Sequence, residues 1–347
     1  MTGWQGALIV SLAWAAACSK DRQAATTSLD ATAPSVGSAA LLMSASEGLE
    51  PRLPPAALMD ETMTVVTPAI MKLVDQGQAP RRKLRYTWRA NRKERLVMDL
   101  RTRVSTESDN ARQPEVPLPT VHVVVDIEPQ GVWPDGDMQY AWHVASSSVP
   151  AGDPNVPPYV AEGMRIEVAT IAHLSGTAVV TSRGLAKEVS VDAGSITDAG
   201  GTGRMVEQMR QQLCDLAAPL PDEDVGVGAR WQKLSQLAAK DARVTQTDTF
   251  TLVELDGGKG VLDDVLAQTA PAQQLRGPAM PQGTQPRIES MLASGDAKTL
   301  FDLSRLVPQT KFDGTTTMVV SGQSPGDTSR RMTMIMRMGI ALSGSIR

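Results

Sequence analysis

The residues of this chain that could do chemistry are few, and the closest match to a catalytic motif is Gly322-Gln323-Ser324-Pro325-Gly326. It fits the G-x-S-x-G turn that presents a nucleophilic serine in hydrolases. That turn uses the backbone N–H of the residue after the serine as an oxyanion donor, and Pro325 has no N–H. The segment also leads into a strand pattern, and no histidine follows it. We therefore interpret it as a hairpin turn and predict no catalytic residue.

Cofactor and metal motifs are also incomplete. Gly226-Val227-Gly228 lacks the third glycine of a dinucleotide loop. The acidic clusters at 222–224 and 263–264 lack the spacing of a calcium loop. The sequence has three histidines, His122, His143 and His173. Because none is paired at ligand spacing, we interpret them as strand or helix-end residues. We expect that the protein binds no metal or cofactor and is not an enzyme. A pair of glycosidase carboxylates stays an alternative, because its spacing exists only in three dimensions.

The last strand pattern carries the first candidate binding feature. Its side chains of one parity are apolar: Met332, Met334, Met336, Met338, Ile340 and Leu342. On a strand all six point to the same face of the sheet. The chain has 17 Met but only three Phe and three Tyr, which indicates an adaptable interior. The face is either the lining of a cavity for acyl chains or another apolar ligand, or a sheet face packed into an ordinary core.

The second candidate feature is a basic segment from Arg81 to Arg103, which holds ten basic and two acidic residues. Its net charge is therefore +8, and since the whole chain carries −4, the remainder carries −12. The candidate contacts to an anionic surface or acidic partner are Arg81, Arg82, Lys83, Arg85, Arg89, Arg92, Lys93 and Arg95. The alternative is a strand face paired with acidic neighbours. The acidic balance and the predicted export argue against nucleic acid as a partner.

An apolar run from Ala7 to Ala17 ends at Cys18 and is followed by Ser19 and Lys20. It is too short to span a membrane as a helix but fits the h-region of a secretory signal. The junction resembles a bacterial lipoprotein signal, which implies a signal peptide over 1–17, lipidation of Cys18 and a membrane anchor. Ser19 favours the outer membrane, facing the periplasm. Ordinary secretion and a cytosolic chain with an apolar start are the alternatives, since residues 1–6 contain no Lys or Arg.

Composition and period predict two further segments. Residues 18–57 are rich in Ala, Ser, Thr and Pro without a period, which predicts a flexible tether. Residues 58–347 form a single β-rich domain, with a helix over 57–75 and a first strand over 84–91. Cys214 is the only cysteine besides Cys18, so a lipidated chain has no intramolecular disulfide.

Alternation of period two predicts about twelve strands. They cover 84–91, 96–104, 121–127, 136–149, 176–182, 185–192, 230–239, 242–255, 260–269, 287–300, 311–321 and 329–342. Two further helices are predicted over 159–173 and 203–217. This order of elements indicates a mainly β fold with a few helices (α+β). Its strands form a large curled antiparallel sheet or incomplete barrel with two or three short helices, or a sandwich.

Four short motifs are similar to an uncharacterised family of bacterial secreted lipoproteins. They begin at Leu84-Arg85-Tyr86-Thr87-Trp88, Leu174-Ser175-Gly176-Thr177, Leu220-Pro221 and Phe301-Asp302. The fold also resembles the half-open barrels of periplasmic lipoprotein carriers. The motifs are short and imply no activity, and a shared fold does not fix function. We expect a non-enzymatic envelope lipoprotein that binds or carries a lipid or other apolar ligand. The alternative is an interaction or structural module that docks on an anionic envelope surface or an envelope protein through its basic first hairpin.

Overall fold

The protein is mainly β and is built on one large antiparallel sheet. The computed structural model describes residues 63–65, 69–108, 111–150, 154–192, 209–210, 212–239, 242–274, 287–322 and 330–347. The strands are β1 (Met63–Val65), β2 (Ile70–Asp75), β3 (Arg82–Lys83), β4 (Glu94–Ser108), β5 (Ala111–Arg112), β6 (Val116–Pro117), β7 (Val121–Val132), β8 (Met138–Ser148), β9 (Ser175–Val180), β10 (Ala186–Ser190), β11 (Asp224–Val225), β12 (Arg230–Ala239), β13 (Ala242–Asp256), β14 (Lys259–Ala270), β15 (Gln273–Gln274), β16 (Arg287–Asp302), β17 (Gln309–Gly322) and β18 (Arg330–Ile346). Helix α1 (Pro158–Thr170) continues into a 3-10 turn at Ile171–His173, and residues 209–210 and 212–214 are also helical.

The main path of the sheet runs β1-β10-β9-β8-β7-β4-β18-β17-β16-β14-β13-β12-β2 and is open. Its two edge strands, β1 and β2, are consecutive in sequence. Five residue steps separate Val65 from Ile70, so the two edges lie within about 18 Å of each other. The sheet therefore curls back on itself until its edges approach. This confirms the predicted curled antiparallel sheet, and the sandwich alternative is wrong.

Strand registers stack the buried side chains in rows across the inner face of this curl. One row consists of direct cross-strand partners from seven strands: Trp231, Phe250, Asp264, Ala297, Phe312, Ile340 and Leu100. All seven are buried, whereas the intervening positions are mostly more exposed. The period of two in the sequence is thus the direct consequence of one covered and one solvated face.

Two glycines on the inner face make room for an aromatic ring. Gly295 of β16 and Gly314 of β17 are cross-strand partners, and the Phe312 ring lies over both. A Cβ atom added at either position would overlap the ring. An aromatic side chain that covers facing glycines replaces the packing that the glycines lack.

One end of the curl, which we call the capped end, is covered by three loop segments. The Leu306 and Val307 N–H groups donate to the two carboxylate oxygens of Glu94 at 2.9 and 3.0 Å. The Trp231 indole N–H donates to the Pro219 carbonyl at 3.0 Å, and the Thr87 N–H donates to the Leu303 carbonyl at 2.6 Å. We call the opposite end, where β4, β17 and β18 reach Ser108, Val320 and Met332, the far end.

Three predictions about local structure need correction or a limit. The helix over 57–75 is wrong, because Met63–Val65 and Ile70–Asp75 are the edge strands, and their apolar spacing near a helical period was misleading. The strand over 84–91 is also wrong. Alternate residues Leu84, Tyr86 and Trp88 are buried there as a loop on the capped end, so the basic segment is not a hairpin. Of the helix predicted over 203–217, the structure describes only residues 209–210 and 212–217. Among these, residues 209–210 and 212–214 are helical.

Candidate functional site

The methionine face predicted from the last strand lies on the inner face of the sheet. Met334, Met336, Met338 and Ile340 are at most 4 % exposed, and Met332 is half-buried at the far end. The four buried side chains pair on one side with β17 and on the other with β4. Their common orientation is therefore as predicted, and β18 contributes a continuous apolar strip to the interior.

Two methionines that the sequence analysis did not single out extend this strip sideways. Met291, Met318 and Met334 are direct cross-strand partners on β16, β17 and β18, and all three are buried. Sequence alone could not place Met291, because a register shift between Ile288 and Ser290 changes which parity faces inward. We call Met291, Met318, Met334, Met336 and Met338 the methionine wall. Its flexible, polarizable side chains suit a surface that adapts to the shape of what packs on it.

A buried polar group occupies the other side of the inner face, on β12, β13 and β14. We call it the polar wall, and its members are Lys233, Gln246, Asp248, Asp264 and Gln268, all at most 3 % exposed. The Gln268 amide donates to the Gln246 Oε1 at 2.6 Å, and the Gln246 amide donates to both Asp248 oxygens at 3.0 and 2.9 Å. Lys233 Nζ donates to Asp215 Oδ1. The sequence analysis missed this wall, whose signal was polar residues at the inward parity of otherwise apolar strands.

Charge in the polar wall is unevenly compensated. Burial lowers the pKa of Lys233, but Asp215 and Asp248 outweigh burial, so the pKa lies above its usual value. Burial raises the pKa of Asp264, and the nearby Asp248 carboxylate raises it further. Within the described residues, Asp264 Oδ1 and Gln268 Oε1 have no hydrogen-bond partner. The wall therefore combines unsatisfied acceptors with an excess of carboxylates.

The basic segment is largely engaged with its own neighbours. Arg85 pairs with Asp222, Lys93 with Glu128 at 2.6 Å, and Arg95 with Asp126 at 2.7 Å. Arg81 donates to the Gly77 carbonyl and to Gln76, and Arg92 donates to Ser304.

These bonds fix the loop and the start of β4 in place, as the paired alternative predicts. The hydrogen bond from Arg95 lowers the pKa of Asp126 below its usual value. Among the eight candidate contacts, Arg82, Lys83 and Arg89 have exposed side chains without an ion pair in the described part of the chain. A docking surface on this segment would depend on those three cations.

A cavity of about 300 Å³ lies at the capped end, away from the methionine wall. Its lining includes Lys259, Phe301, Asp302 and Arg305. Arg305 Nε lies 3.8 Å from Glu94 Oε2, and burial raises the pKa of Glu94. The lining mixes three acidic with two basic side chains and contains no Ser, Cys or His.

The remaining candidate residues lie on strands, on the 3-10 turn or outside the described residues. His122 and His143 lie on β7 and β8 and contact Asp99 and Asp126, and His173 ends the 3-10 turn, as predicted. The described residues contain no group of three or more His, Cys, Asp or Glu placed to hold a metal ion. Cys18 and Ser324 lie outside the described residues. None of the helices in the described ranges has the length and apolarity needed to cross a membrane.

Comparison with known proteins gives structural neighbours of low similarity. No protein-family model matches the sequence, and no curated protein matches it. Two solved structures from Pseudomonas aeruginosa align with the fold at low similarity. OpdQ aligns with 7 % identity and a TM-score of 0.21 over 74 % of this chain and 97 % of its own. OccK8 (OprE) aligns with 8 % identity and a TM-score of 0.16 over 74 % of this chain and 98 % of its own. These scores carry no argument about function, and the resemblance to secreted lipoproteins stays a prediction.

Proposed function

We propose that this protein is a non-enzymatic binding protein of the cell envelope that holds an apolar molecule against the methionine wall. The observation that carries the proposal is the cross-strand row Met291, Met318 and Met334, extended by Met336 and Met338 along β18. Ordinary cores are dominated by residues with well-defined rotamers, whereas methionine specifies packing poorly. Five methionines in one patch therefore favour a surface that accommodates a variable occupant.

The dimensions of the sheet support the same proposal. A barrel of about eight strands is just wide enough for its own side chains to fill or to hold one small ligand. The main path here has thirteen strands and its edges approach each other, so it encloses a wider interior than an eight-stranded barrel does. At the capped end, the loops that form hydrogen bonds with Glu94 and Trp231 cover the interior. The methionine wall extends toward the opposite end.

We further propose that Cys18 carries a lipid anchor that holds the protein at the outer membrane, facing the periplasm. The apolar run over 7–17 and the small residues before Cys18 support this. Mass spectrometry of the amino-terminal peptide from membrane-extracted protein tests it. The expected peptide begins at Cys18 and carries acyl groups, and Cys18→Ser abolishes the modification. An unmodified peptide, or free protein in the medium, would contradict the anchor.

Binding is tested with the fluorescent apolar probe N-phenyl-1-naphthylamine added to the full chain purified without detergent. Probe fluorescence should rise saturably on binding. Met336→Phe fills space on the inner face and should weaken probe binding several-fold. Leu292→Phe is the matched control, because Leu292 is 62 % exposed on the outer face, and should leave binding unchanged. Equal binding by both variants at equal thermal stability would contradict the proposal.

A further inference from the structure

The cavity at the capped end is separate from both walls of the inner face, and two fixed elements form its sides. One side is the hairpin of β13 and β14, and the other is the loop between β16 and β17. The Leu303 N–H donates to the Gly258 carbonyl at 2.9 Å, which ties the loop to the hairpin turn. The Phe301 ring packs so closely on Gly260 that a Cβ atom added there would overlap the ring. Because both sides are already ordered, binding in the cavity would cost little ordering of the protein.

One of the three carboxylates in the lining is occupied by the fold. Asp302 Oδ1 accepts hydrogen bonds from the Ser304 N–H and from the Ser304 hydroxyl, both at 2.8 Å. The other two, Glu254 and Asp256, are exposed, and neither forms a hydrogen bond or ion pair within the described ranges. Two carboxylates on β13 therefore remain for a cationic group in the cavity.

The two cations of the lining are also incompletely paired. Lys259 is exposed and forms no hydrogen bond or ion pair in the part of the chain that the structure describes. The Arg305 side chain is 20 % exposed, and its Nε lies 3.8 Å from Glu94 Oε2, beyond hydrogen-bond distance. Nε and Nη2 of this guanidinium are buried without a hydrogen-bond partner among the described residues. Both cations therefore keep unused donors for an anionic group, and a guanidinium suits a carboxylate because it can bind it with two parallel hydrogen bonds.

The rest of the lining is largely apolar, and the volume is that of a small ligand. The apolar side chains come from β14, β16 and the loop, and they are Val261, Leu300, Phe301, Val307 and Pro308. The cavity volume of about 300 Å³ is at the lower end of small-molecule sites, which measure about 300–1,000 Å³. The cavity thus combines two cations, two carboxylates and an apolar surface within one small space.

We propose that this cavity binds a zwitterionic amino acid with an apolar side chain. The carboxylate of the ligand binds to Arg305 and Lys259, its ammonium group binds to Glu254 and Asp256, and its side chain packs on the apolar lining. A purely anionic or purely cationic ligand would leave one pair of charges without a partner and would be repelled by it. The site is separate from the methionine wall, none of whose residues lines this cavity.

The test is isothermal titration calorimetry of the full chain with L-leucine, L-methionine and L-phenylalanine at mildly acidic pH and low salt. N-acetyl-L-leucine and L-leucinamide are the matched derivatives, because each lacks one of the two charges of leucine. Leucine should bind with a Kd at least about tenfold lower than either derivative, since charge-assisted hydrogen bonds are among the stronger polar contacts.

Two substitutions of exposed residues test which end of the ligand each pair binds. Lys259→Gln should raise the Kd of leucine at least about fivefold and leave leucinamide binding unchanged, because leucinamide has no carboxylate. Glu254→Gln should weaken leucine binding and leave N-acetyl-leucine unchanged, because that derivative has no ammonium group. Lys298→Gln is the matched control, since Lys298 is also exposed but lies on the outer face of β16, outside the lining.

Three results would overturn the proposed amino-acid site. The first is that none of the three amino acids binds to the native chain. The second is that leucine binds no more tightly than N-acetyl-leucine or leucinamide, which would remove the need for both charges. The third is an equal loss of leucine binding in Lys259→Gln and Lys298→Gln at unchanged thermal stability, which would place the binding elsewhere. Uptake of N-phenyl-1-naphthylamine at the methionine wall is measured separately, so either proposal can fail without the other.

Discussion

Replacement of Lys233 by methionine should cost the protein a large part of its stability. Lys233 is 3 % exposed, and its Nζ is bonded to Asp215, whose side chain is 15 % exposed. Methionine keeps most of the apolar stem but removes the charge, which leaves Asp215 and Asp248 without their cation. Removing one partner of a buried pair costs about 3–5 kcal/mol. Because Asp215 retains some contact with water, we expect a loss of about 3 kcal/mol.

The assay is urea unfolding followed by tryptophan fluorescence, with the free energy of unfolding compared between variants. Lys93→Met is the control, because Lys93 and Glu128 form an exposed pair whose loss should hardly change stability. Adding Asp215→Asn to Lys233→Met should restore part of the loss by removing the abandoned charge. The raised pKa of Lys233 keeps it charged at all pH values below its usual pKa, so the loss should be constant from about pH 6 to 9. A loss below about 1 kcal/mol, typical of a surface pair, would refute the reasoning.

Three further predictions concern the inner face and the capped end. Gly295→Ala should destabilise the protein by about 1–3 kcal/mol in the same urea assay, because the new Cβ overlaps the Phe312 ring. An unchanged urea midpoint of unfolding would contradict the packing of Phe312 over Gly295. Glu94→Gln should lower the free energy of unfolding by about 1–3 kcal/mol, since an amide N–H₂ would face the N–H of Leu306. The Leu306 amide should then exchange its hydrogen faster, and unchanged protection of this amide would contradict the prediction. The raised pKa of Asp264 means that the folded state holds this proton longer than the unfolded state, so its contribution to stability falls as pH rises above the usual aspartate pKa. Asp264→Asn should therefore gain stability relative to the native chain as pH increases, by about 1.4 kcal/mol for each unit of pKa shift, and parallel stability curves would refute this.

The long strands could be predicted from sequence because one covered and one solvated face impose a strict period of two. Strand Arg287–Asp302 shows it from Met291 onward, after the register shift, and Arg330–Ile346 shows it from Met334 to Leu342. The edge strand Ile70–Asp75 could not be recognised, since it is short and four of its six residues are exposed. Leu84, Tyr86 and Trp88 alternate like a strand, but they are buried by packing of a loop, which periodicity cannot distinguish.

The candidate site was only partly predictable for a related reason. The orientation of Met334, Met336 and Met338 depends on one strand alone and followed from the sequence. The row that joins Met291 and Met318 to them depends on the register of three strands, and the polar wall depends on three others. Register is set by long-range pairing, so the lateral neighbours of a residue are not written in its local sequence.

The central claim is that the interior of the sheet binds an apolar molecule. Its most direct test is the mass of the full chain, expressed in a bacterial envelope and purified without detergent, under native and denaturing conditions. The account predicts an additional mass that is present under native conditions, leaves on denaturation and is identified as an amphiphile or lipid, with less of it in Met336→Phe. A bare polypeptide that also takes up no added amphiphile would contradict the account and leave the methionine wall as ordinary core.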